Sequence, residues 1–501
     1  MVPRAKAADW VRGDRGFAAR VRQPMSARRP AYIRPSNCVR FSKDGFQNGA
    51  NPRALRVSRK KSGTSRQVYA PEKSLFSLRA MGKVMDYRED IQTPPSRRRP
   101  HTMPSQNFFA DNVAQVGLNP DKVQALMDRA ERDVKEGILP ACQLAIASKG
   151  KIAAMATFGA AVQGGVERPA TDETFFVAMS ATKAITSSAL WILIQEGKID
   201  PADKVVKYVP EYGANGKETT TFEHLLIHTA GIPVAPGSFK EWGDRKRRLE
   251  RFAQWRPDHT PGEKFAYHIH ANYWPIAEAI ERISGKRLGE FVRERIAEPL
   301  GLPDLRIGLP RELQARMADV KWVGEPAKEE EYKKLGVTPP RANMGSINEG
   351  VVLEMNDPAV RDADFPAGGL MTTAGDIALF YQALLNDGRA HDGTRIWQSE
   401  MLREARRIRS GNLIDPARGM TANRALGIVV AGGDGKANLR GFGRTNSAEA
   451  FGHPGFGGQI GWADPATGIS FGYLTNGFDR NDLREGRRSV AVCSLAGACA
   501  E

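Results

Sequence analysis

The sequence predicts an α+β domain: one antiparallel β-sheet formed by both ends of the domain, flanked by helices, with an all-α insertion. Three observations predict it. Strand patterns occur early, between Cys142 and Phe158, and return only late, between Leu426 and Thr475. Residues 201–400 between them read mostly as helices and long loops. Strands at the two ends of a domain with helices between them close one sheet from both sides.

The elements follow in chain order. Asn119-Pro120 is a helix entry, with Asn as N-cap and Pro at the first helical position. Val123, Leu126, Met127, Ala130 and Val134 then recur at helical spacing, and Gly137 ends the run. A hairpin pattern comes next: Cys142 to Ala147, a turn at Lys149-Gly150-Lys151, and a second strand from Ile152 to Phe158. From Ser180 to Glu196 the chain is a long apolar helix closed by Gly197. Ala184, Ile185, Ala189, Leu190, Trp191, Leu193 and Ile194 leave it little solvated face, the mark of a central buried helix. Late strands are predicted at Leu426–Val430, Gln459–Ala463 and Ile469–Thr475, with a turn at 464–468 and a last helix from Asn481 to Leu495. No internal repeat is visible.

Composition narrows the function classes. Apolar residues make up 41% and charged residues 26%, ordinary for a soluble globular protein. No stretch approaches the ~18 uninterrupted apolar residues of a membrane span. The N-terminus lacks the short apolar core of a secretory signal. The four cysteines, Cys38, Cys142, Cys493 and Cys499, neither pair as metal ligands nor suffice for a disulfide scaffold. A cytoplasmic setting is expected.

The net charge of +16 is local. Residues 1–100 hold 24 Lys and Arg against 7 Asp and Glu, a net +17, so the remainder sits near −1. No nucleic-acid partner and no membrane are therefore expected for the folded body. Residues 1–112 are read as a disordered basic extension, because they are broken by Pro, Gly and Arg and lack a sustained apolar period. The folded domain is placed at 113–501. Three readings of the extension stay open: a polyanion-binding arm, an Arg-rich targeting segment, or a non-functional extension, with Met81 and Met103 as alternative starts.

Chemistry concentrates at Ser180-Ala181-Thr182-Lys183. A serine hydroxyl is a poor nucleophile without a nearby base. Positions i and i+3 share a helix face, which brings the Lys183 amine beside the Ser180 oxygen. Burial lowers a lysine pKa and makes neutral amine available. The helix N-terminus adds partial positive charge for an oxyanion. Two other Ser-x-x-Lys strings exist, Ser58 to Lys61 in the extension and Ser148 to Lys151 on the hairpin turn, but only Ser180 opens a long buried helix.

With Phe175–Lys183 and 195–200, the segments His224–Gly231, Pro261–Tyr267, Pro366–Leu370 and Phe451–Gly458 follow in an order that resembles the serine β-lactamase and penicillin-binding-protein superfamily, in its class-C-like and esterase branch. The resemblance runs from about residue 113 to 490, some three quarters of the chain. It implies a β-lactamase/transpeptidase-like fold and an acyl-enzyme hydrolase with no metal and no other cofactor. Ser180 would attack a carbonyl, Lys183 and a tyrosine would handle its proton, and water would release the acyl group.

The third motif, Lys-Thr-Gly in true β-lactamases, corresponds to His453-Pro454-Gly455 here. Lys61-Ser62-Gly63 lies in the extension, and His391-Asp392-Gly393 reads as a surface turn. By resemblance the oxyanion hole consists of the Ser180 and Phe456 amides, with His453 and Gly455 lining the substrate site. The second motif, Tyr-x-Asn, is disturbed. Tyr267 is followed by His268 and Ile269, and the nearest Asn, Asn272, lies five residues on, which implies a one-residue insertion. Tyr267 is the assigned catalytic tyrosine; a register placing His268 in that slot, and Tyr267 as a core aromatic, remain the alternatives.

The pairs His224/His228 and His268/His270 have metal-like spacing but no acidic or cysteine partner in a metal-type motif, so no metal site is assigned. The expected partner is a small-molecule ester or amide. An unperturbed His453 is mostly neutral near pH 7, so recognition of an antibiotic's carboxylate, the task of the lysine in β-lactamases, should be weaker. A carboxylesterase with weak or no β-lactamase activity is therefore expected. A β-lactamase or D-alanyl peptidase-like amidohydrolase is one alternative, and a catalytically silent binding or scaffold member another. The sequence does not reveal the oligomeric state.

Overall fold

The computed structural model describes residues 106–335 and 348–500. The basic extension up to residue 105, with Cys38 and both of its motif-like strings, lies outside the described residues. The described residues begin at 106, ahead of the expected boundary at 113. Phe108 and Phe109 pack on the core, and Phe109 bridges Ile152 in a short parallel contact. Two adjacent aromatic rings offer apolar area that a coil in water would waste.

Helix α1 runs from Pro120 to Lys135, and the Asn119 side chain accepts from the Lys122 amide at 3.0 Å, as its sequence signature predicts. Strands β1 (Ala141–Ser148) and β2 (Lys151–Gln163) form the hairpin, turning through left-handed Lys149 and Gly150. Strand β2 continues past the expected Phe158 to pair with β3 (Val166–Pro169). The other neighbour of β1 comes from the far end of the chain: it pairs antiparallel with Ile469–Thr475, Cys142 opposite Thr475. Ile460–Asp464, Phe451–Gly452 and Val429–Val430 then extend one seven-stranded sheet. The mixed α/β architecture, with its sheet closed by both ends of the domain, is the one the sequence predicts.

Both faces of the sheet are covered. Alternate residues of β1 divide between two cores: Leu144 and Ile146 join Leu126 of α1 and Val492 of helix Asp482–Gly497 on one face. Ala145 and Ala147 face the other core with Ile377 of helix Ala374–Leu385. Gly461 and Gly472 stand opposite each other on neighbouring strands, and a Cβ on Gly472 would overlap the Ala374 carbonyl. The missing side chains let that helix lie close against the sheet. No helix among the described residues is long and apolar enough to cross a membrane.

The expected strand Leu426–Val430 shrinks to Val429–Val430. Gly427 has φ +81° and packs against Ser187 and Tyr273, while the Leu426 carbonyl accepts from the Trp191 indole at 3.0 Å. Tertiary anchoring therefore bends the chain where local pattern reads extended.

Candidate active site

A small three-stranded sheet delivers the chain to Ser180. Phe176–Val177 pairs with Leu370–Thr372, and the Ala178 amide donates to the Leu370 carbonyl at 2.8 Å. Met179 then takes a left-handed φ of +45°, a costly conformation for a residue with a Cβ. Ser180 sits in the single 3-10 turn Met179–Ala181, and helix α2 follows as Thr182–Gln195. The nucleophile candidate thus lies just ahead of the α-helix rather than as its first residue. The Thr182 hydroxyl fixes this turn, donating to the Met179 carbonyl at 2.6 Å and accepting from the Leu370 amide at 2.9 Å.

Helix α2 is buried almost all round, as predicted, and its polar side chains are all satisfied locally. Thr186 donates to the Pro366 carbonyl at 2.8 Å, and Ser187 shares a 2.8 Å hydrogen bond with the Tyr273 hydroxyl. The Pro366–Leu370 segment is therefore bound along the helix that carries Lys183.

Lys183 is fully buried, and Ser180 is half-buried. The Lys183 amine lies 3.1 Å from Ser180 Oγ, 2.9 Å from the Ile269 carbonyl oxygen and 3.0 Å from the Ala367 carbonyl oxygen. A neutral amine has two N–H bonds and one lone pair. The two carbonyls can take the N–H bonds, which leaves the lone pair for the Ser180 proton. Burial lowers the lysine pKa, the neighbouring Tyr267 partly restores it, and the Arg424 charge lowers it further.

Tyr267 stands against this pair. The Ser180 and Lys183 side chains both act on its phenol electrostatically, and Nζ of Lys183 lies 5.4 Å from its ring centre. Burial raises the phenol pKa, but the Lys183 charge, the Ser180 hydroxyl and the Arg424 charge outweigh it and hold the group below its ordinary value. The other register does not reach Lys183 through its imidazole. His268 is buried with Nδ1 on the Ala266 carbonyl at 2.6 Å and Nε2 accepting from the Ile232 amide at 2.8 Å. Asn272 is also elsewhere, donating to the Leu225 carbonyl at 3.0 Å. In the Tyr-x-Asn slot stands Ile269, which offers Lys183 a main-chain carbonyl instead of a side-chain amide.

The third segment approaches from the sheet edge. The Gly455 amide donates to the Gln459 carbonyl at 2.7 Å, and a Cβ on Gly455 would overlap the Ala178 carbonyl oxygen. This close approach brings the 453–456 segment, with its Phe456 amide, against the turn that bears Ser180. The Phe456 ring is half-buried and meets Trp322 edge-to-face at 6.0 Å, a residue with no sequence signal. His453 is buried, its ring 6.3 Å from that of Tyr267. Nδ1 donates to the Pro454 carbonyl at 2.7 Å, and Nε2 faces Arg424 Nη1 at 3.4 Å. Burial and then the Arg424 charge push its pKa well below the usual range, so it is neutral.

Two neighbours escaped sequence reasoning, Arg424 and the Ile269 carbonyl; His228, weighed there only for its metal-like spacing, stacks its ring on Tyr267 at 4.6 Å. Of the ring nitrogens that metal-like spacing singled out, some have other duties, while His228 Nε2 and His270 Nε2 are buried without a hydrogen-bond partner. His224 Nδ1 accepts from the Thr221 amide at 3.3 Å, and His228 Nδ1 accepts from the His268 amide at 3.0 Å. Ser148 donates to the Val116 carbonyl at 2.9 Å on the hairpin, and His391-Asp392-Gly393 is an exposed turn, as expected. A cavity of about 510 Å³ opens at the opposite end of α2, lined by Gln195, Glu223, Met401 and Arg409, away from Ser180.

Comparison with known proteins gives the family and the fold. The Beta-lactamase family model matches residues 122–494. The chain is 30% identical over 304 residues to the Esterase/beta-lactamase LipL of Mycobacterium tuberculosis, covering 59% of this chain and 68% of that protein. The crystal structure of a family VIII carboxylesterase matches with a TM-score of 0.61 at 27% identity, covering 76% of this chain and 99% of that one. A penicillin-binding protein homologue from Caulobacter crescentus matches with the same TM-score, 0.61, at 25% identity and with the same shares, 76% and 99%.

Proposed function

The chain belongs to the Beta-lactamase family of serine hydrolases, and from that membership we propose that it hydrolyses small uncharged carboxylic esters through an acyl-enzyme, with weak or no β-lactamase activity. Ser180 is the nucleophile. As its oxygen bonds to the ester carbonyl carbon, its proton passes to the Lys183–Tyr267 pair, and the Ser180 and Phe456 amides receive the oxyanion. The same proton then goes to the departing alkoxide. Water repeats the sequence on the acyl-enzyme and frees the acid.

The observation that carries this reading is the Lys183 amine 3.1 Å from Ser180 Oγ, with two main-chain carbonyls occupying its remaining donors. The preference for uncharged esters rests on His453, a neutral ring where the antibiotic-hydrolysing relatives have a lysine. The names of LipL and of the family VIII carboxylesterase support the same choice. Hydrolysis of p-nitrophenyl butyrate beside a chromogenic cephalosporin tests it: ester turnover should dominate, and faster cephalosporin turnover overturns the preference.

One observation favours a second reading, the amidohydrolase of carboxylate-bearing substrates. Arg424 places a guanidinium beside His453, so a cation is present near the position where lysine is missing. Cephalosporin turnover that collapses in Arg424→Gln far beyond the accompanying loss of ester turnover would select that reading.

A further inference from the structure

Arg424 is a buried charge without a counter-ion. Only 7% of the residue is exposed, and among the described residues no carboxylate lies within ion-pair distance of it. Asp415, the one carboxylate whose charge is felt at Arg424, is taken by Arg418 at 2.7 Å. The guanidinium Nε is enclosed with no partner, and Nη1 meets His453 Nε2 at 3.4 Å. A guanidinium in such a place is costly unless something nearby gains from its charge.

The chain around it is anchored from several sides. The Arg424 amide donates to Ser410 Oγ at 2.9 Å, and its carbonyl accepts from the Arg409 amide at 2.8 Å. Gly427 and Leu426 tie the following residues to α2 and Tyr273. The result places the guanidinium carbon 5.4 Å from the centre of the Tyr267 ring and 5.4 Å from that of Phe265.

The groups facing Tyr267 from the packed elements are Lys183 of α2, the neutral rings of His228 and His453, the Tyr273 phenol and Arg424. Lys183 cannot serve both as a neutral base and as the positive charge that steadies a phenolate. Arg424 can, since a guanidinium stays charged throughout the neutral range. We propose that Arg424 is a positioning residue of the hydrolytic centre, holding His453 in its Nδ1–H tautomer and supplying the charge that favours the Tyr267 phenolate as Ser180 attacks. The proton leaving Ser180 Oγ is then taken up by the phenolate oxygen and passed on to the alkoxide leaving group, so none is lost from the site. The inference rests on Tyr267 sharing the proton transfer, as in the function proposed above.

The test is an ultraviolet difference titration of full-length protein, wild type minus Tyr267→Phe, which isolates the ionisation of this one phenol. The expected midpoint lies below the ordinary tyrosine value of about 10. In Arg424→Gln, or in Arg424→Met, which fills the space without charge, it should rise by at least ~1 pH unit. Arg424→Lys should restore it. The acid limb of kcat/KM for the nitrophenyl ester should move with it, giving a loss of about tenfold at pH 7 that recovers at high pH. A wild-type midpoint at or above about 10 overturns the proposal without any variant. So does an unmoved midpoint in a folded variant, or a rate loss equal at every pH. The titration needs no turnover, so a protein inert toward esters would defeat the esterase reading and leave this result standing on its own.

Discussion

The Lys183 amine approaches Ser180 Oγ to 3.1 Å, and its two other contacts within 3.0 Å are main-chain carbonyls, those of Ile269 and Ala367. No carboxylate lies in that shell, and burial, the largest influence on Lys183, disfavours the ammonium form. Ser180→Ala and Lys183→Met should each lower p-nitrophenyl butyrate hydrolysis by at least ~10³-fold, the scale of removing one member of a catalytic unit. A fluorophosphonate probe should label wild type and not Ser180→Ala. Equal hydrolysis by wild type and Ser180→Ala would remove Ser180 from the mechanism.

Tyr267→Phe keeps the ring stacked on His228 and deletes only the hydroxyl. Acylation should slow by at least ~10²-fold, within the range of general acid–base catalysis. The unfolding temperature should stay within a few degrees of wild type. Near-normal turnover would mean that Lys183 alone moves the proton.

Gly455→Ala adds a methyl group where the Ala178 carbonyl already sits. The 453–456 segment must retreat, taking the Phe456 amide away from Ser180. Turnover of the ester should fall by ~10²-fold, the loss associated with a missing oxyanion donor. An unchanged kcat in a folded variant would show that the amide takes no part.

Acid should unfold this domain through its histidines. Burial pushes His268 and His270 down to about 3, whereas the unfolded chain titrates near 6.5. A depressed folded pKa means that the unfolded state binds the extra proton between those values. The neutral rings therefore cost nothing above pH 6.5, and stability drains away as pH falls from there toward 3. At pH 5 each should cost about 2 kcal/mol. Denaturant midpoints at pH 8 and pH 5 measure this, and equal midpoints would contradict it.

Sequence alone placed the main elements because their signals are local. Asn119-Pro120 opens α1, the Lys149-Gly150 turn shapes the hairpin, and unbroken apolarity marks α2. Ser180, Lys183 and Tyr267 were legible because each lies in a segment whose neighbours carry the pattern. Arg424 was not, since a single arginine ahead of an apolar run looks the same whether it ends in solvent or beneath a tyrosine. Ile269 was invisible for another reason: its contribution is a main-chain carbonyl, which every residue type possesses. The left-handed Met179 and the shortened strand at Val429–Val430 follow from tertiary anchors at Leu370, Trp191 and Tyr273 that no local window contains.

The pairing of β1 with Ile469–Thr475 imposes a delay during biosynthesis. Cys142 leaves the ribosome 333 residues before its partner Thr475, which at ~5–20 residues per second is roughly 15–70 s. For most of that interval the hairpin β1–β2 has one unpaired edge, the face that helix Ala374–Leu385 covers is bare, and the Ser180 turn has no 453–456 segment beside it. The nascent chain can therefore neither hydrolyse anything nor protect its central strand until almost all of it has emerged. A truncation before Ile469 should yield aggregate rather than a weakened enzyme, because the missing strand is the innermost partner of the sheet and not an ornament at its rim.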